Sequence, residues 1–287
     1  MNLQGKRAVI TGASQGLGLT LARAFLSEGA SVMICARSAG DLERAQRQLE
    51  SIAPGRIYSM VADIGIESDI DALAAETRAR LGGADIFIAN AGIHGPKGSL
   101  EEIDWQEWVD AIRINLTGTV YCCRAFLPLL RESVKGKILI LSGGGATKPF
   151  PFISAYAASK AGIVRFGETL AHELLPAGID VNMIAPGALN TRLLYNVLDA
   201  GPEKVGDAMY QASLKQKASG GVSPELAAKL CVYLASEAAD GITGRLISAQ
   251  WDCWPRLGEL KEELAPTDIY TLRRIIPAER GKNWDDN

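Results

Sequence analysis

Short apolar runs rich in β-branched residues alternate along the chain with longer stretches in which apolar side chains recur at helical spacing. The short runs predict seven strands: Arg7–Ile10, Ser31–Ala36, Ile57–Val61, Asp85–Ala89, Lys137–Leu141, Ile179–Ile184 and Arg245–Ser248. The stretches between them predict six helices: Leu17–Glu28, Asp41–Ser51, Ser68–Leu81, Trp105–Leu130, Ala155–Leu175 and Pro224–Ala235. Because strands that alternate with helices are joined by right-handed crossovers, the pattern predicts an α/β fold. Its core would be a doubly wound, parallel, seven-stranded sheet between two layers of helices.

One long connection breaks the alternation before the last predicted strand. It runs over Ala188–Val222 and contains Gly201-Pro202 and Gly220-Gly221, two pairs that favour turns. We expect this segment to lack regular structure. An irregular connection of that length in a compact domain is typically a lid over a ligand, so we predict a substrate lid at 188–222.

A second segment follows the last predicted strand, from residue 250 to residue 287. It has a helical pattern over Leu257–Leu264 and three tryptophans, Trp251, Trp254 and Trp284. Since tryptophan side chains bury much apolar area, we expect this extension to pack on the domain or against a neighbouring subunit. The predicted organisation is therefore one domain over 1–249, followed by a C-terminal extension over 250–287.

Composition and charge narrow the class of protein. Of the 287 residues, 47% are hydrophobic and 22% are charged, values typical of a globular chain. The formal charge is −3 without any basic run, so we expect no binding to nucleic acid or to an anionic membrane surface. No apolar stretch has the length of a signal peptide or a membrane span, which favours a cytoplasmic location. Five cysteines without a C-x-x-C pair, and only two histidines, argue against a disulfide framework or a metal site.

The first motif with a chemical reading is TGASQGLG, residues 11–18, between the first strand and the first helix. Gly12 permits a tight turn, Gly16 lets a diphosphate approach the backbone, and Gly18 lets helix and strand pack closely. The free N–H groups of the helix N-terminus would then face the phosphates. This placement predicts a Rossmann-type dinucleotide site with contacts from Gly12, Ser14, Gln15, Gly16, Leu17 and Gly18. The alternative is a glycine turn that binds no ligand.

The end of the second predicted strand indicates which dinucleotide is bound. NAD sites of this type usually carry an acidic residue there, which accepts hydrogen bonds from the ribose 2′-hydroxyl. This chain has Ala36, followed by Arg37 and Ser38. Because a guanidinium can bind a 2′-phosphate through two hydrogen bonds, we expect NADP(H) rather than NAD(H). The alternatives are that Arg37 is a solvated surface residue and that Gln15, in place of a second basic residue, weakens the preference.

Several further motifs follow the glycines in a fixed order. They are Asn90-Ala91-Gly92, Asn115, Tyr156-x-x-x-Lys160, and Pro186-Gly187 followed by Thr191. With their order and spacing, the chain resembles the classical short-chain dehydrogenase/reductase family over about residues 6–247. The resemblance implies an NAD(P)-dependent oxidoreductase that interconverts a ketone or aldehyde and an alcohol by hydride transfer. It also implies a homodimer or homotetramer and a small-molecule carbonyl or alcohol substrate.

The resemblance carries over residue by residue to the cofactor site. Besides the glycine motif, Arg37 and Ser38, the expected cofactor contacts are Asp63, Ile64, Asn90, Ala91, Gly92, Tyr156, Lys160, Pro186, Gly187, Leu189 and Thr191. Asp63 resembles the carboxylate that accepts from the adenine amino group, and its alternative role is a helix cap. The backbone after Pro186, with Thr191, would hold the nicotinamide carboxamide.

Tyr156 and Lys160 are four residues apart and therefore share one face of a helix. A free tyrosine has a pKa near ~10, and a neighbouring ammonium favours the phenolate, so we expect Lys160 to lower the pKa of Tyr156. The resemblance implies that Tyr156 exchanges a proton with the substrate oxygen, that Lys160 binds the ribose, and that Asn115 holds a water beside the lysine. The alternative is a core tyrosine and a surface lysine.

The chain departs from the family at the catalytic serine. The segment reads Leu141-Ser142-Gly143-Gly144-Gly145, and the family's serine would fall on Gly143. On a strand, a shift of one residue turns the side chain to the other face, so Ser142 is no automatic substitute. We keep Ser142 as the candidate donor, brought into place by a local bulge, with Thr147 and the backbone N–H groups of residues 143–145 as alternatives.

Two alternative functions also fit the sequence. The loss of the family's serine at Gly143 favours a non-catalytic nucleotide-binding protein, and the same motifs fit an epimerase or dehydratase that uses the cofactor transiently. His94 could line the substrate pocket but is more simply incidental, and His172 is most simply structural.

Overall fold

The computed structural model describes residues 1–284, so residues 285–287 of the predicted extension lie outside the described range. The strands are β1 Arg7–Thr11, β2 Ser31–Ala36, β3 Ile57–Val61, β4 Ile86–Ala89, β5 Lys137–Leu141, β6 Asp180–Ala185 and β7 Arg245–Ser248. They form one parallel sheet in the order β3-β2-β1-β4-β5-β6-β7. The predicted fold class, a doubly wound seven-stranded sheet of Rossmann type, is confirmed.

Helices cover both faces of this sheet. The main ones are α1 Gly16–Ser27, α2 Ala39–Glu50, α3 Glu67–Leu81, α4 Trp105–Ile112, α5 Thr119–Arg131 and α6 Ser154–Leu174. After three further helices come α10 Pro224–Ala235 and α11 Leu257–Leu264. Strand side chains point alternately to the two faces, so Ala8 and Ile10 join the core under α1, α2 and α10, whereas Val9 joins the core under α3, α5 and α6.

The order in which strands are added reverses between β1 and β4. The chain builds from β1 to β3 towards one edge and from β4 to β7 towards the other, although β1 and β4 are neighbours. In such sheets ligands bind beyond the carboxyl ends of the strands at the point of reversal. The segments that leave β1 and β4, residues 11–18 and 90–95, therefore flank the expected site.

The helix predicted over Trp105–Leu130 is not a single α-helix. After α4, the backbone forms a π-helical segment over Arg113–Gly118, and α5 follows directly. A π-helical segment closes its hydrogen bonds one residue later than an α-helix, which a helical pattern of apolar residues does not reveal. Asn115 lies in the middle of this segment.

The expectation of an irregular segment over 188–222 is wrong. It contains three helices, α7 Arg192–Ala200, α8 Pro202–Val205 and α9 Asp207–Ser219. Gly201 and Gly206, with φ of 78° and 77°, separate them. The Gly-Pro pair thus marks a break between short helices, and Leu194 and Val197 of α7 bury their side chains at helical spacing.

The C-terminal extension lies along the outer edge of β7. The Arg245 guanidinium is buried and donates at 2.8–3.1 Å to four backbone carbonyls, those of Leu264, Ala265, Thr267 and Ile269. The Leu246 N–H donates to the Tyr270 carbonyl at 2.7 Å. The Arg245 side chain thus satisfies carbonyls of the extension, and the extension in turn pairs with one backbone N–H of the edge strand.

Within residues 1–284, none of the helices combines the length and the apolar character that crossing a bilayer requires.

Candidate active site

The turn between β1 and α1 is packed so closely that side chains do not fit at two of its glycines. A Cβ at Gly12, where φ is +64°, would lie 2.8 Å from the Ala91 Cα. A Cβ at Gly18 would collide with the Gly12 carbonyl and lie 2.6 Å from the Asn90 amide nitrogen. The glycine turn and the start of α1 are thereby held against the segment that follows β4.

Asn90 and Thr11 connect the glycine turn to the segment after β4. The Asn90 Nδ2 donates to the carbonyls of Thr11 at 2.9 Å and Gly12 at 3.0 Å. The Thr11 Oγ1 accepts from the backbone N–H groups of Asn90 and Ala91, each at 3.1 Å. Asn90 thus serves this site by fixing the backbone of the glycine turn, and Thr11 is a supporting residue that the sequence analysis missed.

The residues of the glycine turn fit a dinucleotide. Gln15, the N-cap residue of α1, makes no side-chain capping bond to a described residue, so the N–H groups at the start of α1 have no side-chain cap there. Gln15 and Gly16 are exposed, Ser14 is partly exposed, and Leu17 is buried in the core, which leaves Leu17 only its backbone for a ligand. The helix N-terminus and a bare backbone at Gly16 are the features that bind a diphosphate.

The end of β2 presents a cation beside a carboxylate. Ala36 is buried, and the half-exposed Arg37 lies 3.7 Å from the Asp63 carboxylate. The Ser38 hydroxyl accepts from the Asp41 N–H at 3.4 Å and so caps α2. Asp63 does not cap α3, because its Oδ1 accepts from the Gly65 N–H at 2.8 Å. Ile64, next to it, buries its side chain in the core.

Tyr156 and Lys160 lie on one face of α6 and are both buried. The Lys160 Nζ donates to the Leu141 carbonyl at 2.7 Å and lies 5.6 Å from the centroid of the Tyr156 ring. Burial raises the pKa of Tyr156 to about 12 and lowers the pKa of Lys160 to about 8. Burial is the cause of both shifts, because desolvation disfavours the phenolate and the ammonium alike, so the pKa of Tyr156 is not lowered below its ordinary value as expected.

Asn115 ties the π-helical segment to the segment after β4 and to α6. Its Oδ1 accepts from the Ile93 N–H at 2.8 Å, and its Nδ2 donates to the Ile93 carbonyl at 2.7 Å and to the Ser159 Oγ at 3.0 Å. Ser159 in turn donates to the Tyr156 carbonyl at 2.8 Å. A Cβ at Gly92 would lie 3.2 Å from the Asn115 Oδ1 and 3.7 Å from the Lys160 Nζ. These groups therefore meet in one place.

Gly143, and not Ser142, faces the tyrosine hydroxyl. A Cβ at Gly143 would collide with the Tyr156 hydroxyl oxygen and lie 3.3 Å from Cζ. The backbone at Gly143 is extended, so the side chain of Ser142 points the other way. The Ser142 Oγ is buried and has no hydrogen-bond partner among the described residues. Thr147 is exposed at the end of the short 3₁₀ turn Gly144–Ala146. The bulge that would bring Ser142 to the tyrosine is not formed.

The segment after β6 closes the crevice opposite the glycine turn. Gly187 has φ of +92°, and a Cβ at Gly16 would lie 3.6 Å from the Thr191 methyl group. The Leu189 carbonyl accepts from the Thr191 N–H at 2.9 Å and from the Gln216 side chain at 3.1 Å. Pro186, just before Gly187, completes the turn that leaves β6. This segment and residues 11–18 therefore lie on two sides of one crevice.

One residue regarded as incidental in the sequence lies inside the site. The His94 ring meets the Tyr156 ring edge to face, with centroids 4.8 Å apart and an interplanar angle of 86°. Two residues after Gly92, it follows a segment already assigned to the cofactor, and that proximity was the available signal.

A protein-family model described as short chain dehydrogenase matches residues 6–200. The 3beta-hydroxysteroid dehydrogenase 1 of Eggerthella lenta is 36% identical over 248 residues, 85% of this chain and 91% of that protein. The glucose 1-dehydrogenase of Gluconobacter oxydans is 32% identical over 244 residues, 85% of this chain and 90% of that protein. The chain belongs to the short-chain dehydrogenase/reductase family. It is an NAD(P)-dependent oxidoreductase of that family.

Solved structures agree with this assignment over most of the chain. A levodione reductase superposes with a TM-score of 0.78 at 27% identity, covering 86% of this chain and 96% of the other. A single-residue variant of the actinorhodin polyketide ketoreductase, with NADPH, gives a TM-score of 0.77 at 27% identity, covering 85% of this chain and 95% of the other. The predicted family is thus confirmed.

Proposed function

We propose that the protein is an NADP-dependent carbonyl reductase in which Tyr156 is the acid and Lys160 its partner. The observation that carries this proposal is the convergence of the Lys160 ammonium and the Asn115 amide beside Gly92, with the Tyr156 ring centroid 5.6 Å from the Lys160 Nζ, in the crevice bounded by the glycine turn. A protein that only bound nucleotide would have no need for a buried lysine next to a buried phenol, since each charged form is costly to bury.

The protonation states favour reduction. Because burial raises the pKa of Tyr156 to about 12, the phenol holds its proton at neutral pH and can donate it to a carbonyl oxygen. Bound NADPH would supply the hydride to the carbonyl carbon. Lys160, held by the Leu141 carbonyl at 2.7 Å, would donate to the ribose, and Asn115 would hold the Ile93 segment and a water-linked path for the replacement proton.

NADP(H) rather than NAD(H) is the proposed cofactor. Its support is the absence of an acidic residue at the end of β2, where Ala36 and Arg37 stand, next to the N-terminus of α2. An actinorhodin ketoreductase structure holds NADPH and a Pseudomonas aeruginosa structure at 28% identity is an NADP complex. In this proposal Arg37 leaves Asp63 to bind the 2′-phosphate, and Asp63 then accepts from the adenine.

The cofactor proposal is tested by exchanging the charge at Arg37. Arg37→Glu should weaken NADPH binding by about 10-fold or more and leave NADH binding unchanged or stronger, since a carboxylate repels a phosphate and accepts from a hydroxyl. Quenching of protein fluorescence measures both affinities. Arg47→Glu on the exposed face of α2 is the matched control. Equal loss for both nucleotides, or none for NADPH, would contradict the assignment.

A secondary alcohol or the matching ketone is the proposed substrate class. Relatives carry names that refer to a hydroxysteroid, to glucose and to D-beta-hydroxybutyrate, all of which have such a group. We propose that α7–α9 form a lid over that substrate. This proposal is supported by the close packing of the lid on Phe152, because a Cβ at Gly206, in the turn between α8 and α9, would lie 2.8 Å from the Phe152 ring.

The reaction is tested by absorbance at the NADPH band against four probes. They are a 3-oxosteroid, acetoacetate and levodione with NADPH, and glucose with NADP⁺. Net conversion of nucleotide with at least one probe is expected. Product formation without any net change of nucleotide would assign an epimerase or dehydratase instead, and nucleotide binding without any product would assign a binding protein.

We also propose a homodimer or homotetramer that uses the surface of α4 to α6. Trp105 is 64% exposed and stacks on Trp108 with centroids 5.2 Å apart, and Ala158 on α6 is exposed as a small residue that lets helices approach. Light scattering should give a multiple of the chain mass at micromolar concentration. A single-chain mass would contradict this assembly.

A further inference from the structure

The site lacks the side-chain donor that its family places beside the tyrosine. Gly143 faces the Tyr156 hydroxyl with no side chain, and Ser142 points away from it. A carbonyl oxygen accepts negative charge as hydride arrives, so a hydrogen-bond donor next to that oxygen, besides the tyrosine, accelerates the step. Another group must supply that bond if the enzyme is efficient.

His94 is a polar side chain whose ring contacts the Tyr156 ring. Its ring packs edge to face on the Tyr156 ring at 4.8 Å between centroids. The Nδ1 atom is shielded from solvent and has no hydrogen-bond partner anywhere in residues 1–284. Buried histidines that only support a fold usually have their nitrogens hydrogen-bonded within the protein. An unpaired Nδ1 on a ring that packs against the ring of Tyr156 is better explained by a bond made to a ligand.

The backbone around His94 is held in place before any substrate binds. Ile93 exchanges two hydrogen bonds with the Asn115 amide, at 2.8 and 2.7 Å. A Cβ at Gly95 would lie 2.6 Å from the Ala111 side chain and 3.4 Å from that of Ala155, so the next residue is packed against α4 and α6. A donor on such a fixed segment needs little reorganisation when the reaction occurs.

The charge state of His94 suits a donor that does not compete for the transferred proton. Burial, with the nearby charges of Lys97 and Lys160, lowers the pKa of His94 to about 4. The ring is neutral at physiological pH and carries one N–H. A neutral imidazole can donate that hydrogen bond and keep its proton throughout the reaction.

We propose that the His94 Nδ1–H donates a hydrogen bond to the substrate oxygen, in place of the serine that this chain lacks at Gly143. The inference rests on the proposed carbonyl reduction. Bound NADPH would supply the hydride for the new C–H bond and would be left as NADP⁺, while Tyr156 would transfer its proton to the oxygen that receives the π electrons. His94 forms no covalent bond and loses no proton.

The test compares two replacements at His94 with matched controls. His94→Phe keeps an aromatic ring against Tyr156 and removes the N–H, whereas His94→Gln restores an N–H donor. His172→Phe, at the exposed second histidine of the chain, controls for the substitution itself, and Ser142→Ala tests the competing hydroxyl. Single-turnover reduction of the best of the four probes is measured at saturating NADPH, alongside the affinity for NADPH.

We expect the His94 substitutions to change the single-turnover rate but not the affinity for NADPH. His94→Phe should lower the single-turnover rate by about 10- to 100-fold with NADPH affinity unchanged, and His94→Gln should recover a large part of that loss. His172→Phe should react within twofold of the parent. A His94→Phe rate within twofold of the parent, an equal loss in both His94 variants, a loss of NADPH affinity, or a loss in Ser142→Ala alone would each overturn the role of His94.

Different results would contradict the proposed function and this inference. Absence of reduction by the parent protein with every probe, or full reduction by Tyr156→Phe, would contradict the carbonyl-reductase proposal. Reduction by the parent that depends on Tyr156 but not on His94 would contradict only the inference.

Discussion

At the scale of single residues, desolvation decides the charges in this site. Tyr156 and Lys160 are 8% and 5% exposed, and both lose water that would stabilise their charged forms. The cation lies 5.6 Å from the ring, and its Nζ donates to the Leu141 carbonyl. The phenol is therefore kept protonated, which suits a proton donor, and the lysine is poised to lose its proton at mildly alkaline pH.

The Lys160 pKa predicts a pH dependence of stability. The pKa is about 8 in the folded chain against an ordinary value of 10.5. Between these pH values the unfolded chain holds the proton and the folded chain does not. The contribution of Lys160 to the unfolding free energy therefore rises with pH in that window. Below pH 8 both states hold the proton, and the full cost of burying the charged lysine then lowers the stability of the folded chain.

Urea denaturation at intervals from pH 7.5 to 10.5 checks this sign. The difference in unfolding free energy between the parent and Lys160→Met should shift in favour of the parent as pH rises. A difference that is constant with pH would mean that Lys160 keeps its proton in the folded chain, and it would contradict the assigned pKa.

Gly143 predicts that adding a side chain interferes with the acid. In Gly143→Ala the new methyl group would collide with the Tyr156 hydroxyl, so the ring must shift away from its position. We expect kcat to fall by about 10-fold or more while NADPH affinity stays within twofold. Steady-state kinetics measures the first and fluorescence the second. An unchanged kcat would show that the hydroxyl is not fixed at this place.

At the scale of elements, the short π-helical segment Arg113–Gly118 positions Asn115 in the site. It turns Asn115 towards Ile93 and Ser159, and so joins the segment after β4 to α6 at the site. Apolar spacing predicts the helix but not the π-helical turns, because both place similar residues on the buried side. The family motif identifies Asn115, while its three bonds become visible only in the structure.

Asn115→Ala should therefore affect both stability and catalysis. The Ile93 N–H and carbonyl would lose their partner in a partly buried place, which costs about 2–4 kcal/mol of unfolding free energy. Thr117→Ala, at an exposed position of the same segment, should cost much less. Urea denaturation of both variants measures the difference. Equal effects would contradict a specific role of the Asn115 amide.

The sequence predicts the elements that a local apolar pattern marks, and it misses features that depend on packing between distant segments. Buried strands such as Lys137–Leu141 are predicted with the correct bounds because their apolar runs are dictated by burial on both faces. The helices of 192–219 are missed because Gly201-Pro202 and Gly220-Gly221 dominate the pattern, although Leu194 and Val197 carry a helical signal. The position of His94 depends on packing between distant segments, which no local pattern encodes.

At the scale of the whole molecule, the extension completes the edge of the sheet. Arg245 donates to four carbonyls of residues 264–269, and the Glu168 carboxylate accepts from the Leu272 N–H at 2.6 Å. The extension thus takes the place that a further strand would fill beside β7. Of the three tryptophans in the extension, Trp254 packs on Tyr233, whereas Trp251 and Trp284 are exposed.

Arg245→Met should loosen the extension and leave the site nearly intact. Four carbonyls would lose a charged donor, and we expect the unfolding free energy to fall by about 2–4 kcal/mol. Limited proteolysis should cut residues 257–284 faster. Arg256→Met, which removes only an exposed pair with Glu259, is the control. Unchanged cleavage would contradict a clamping role for Arg245.

The most direct test of the account is the rate at which NADPH-saturated enzyme reduces a ketone in a single turnover. The comparison is between the parent and Tyr156→Phe, which keeps the ring and removes only the hydroxyl that carries the proton. We predict a loss of about 10³-fold with NADPH affinity within twofold. A variant that reacts within tenfold of the parent would contradict the proposal that this buried phenol is the acid.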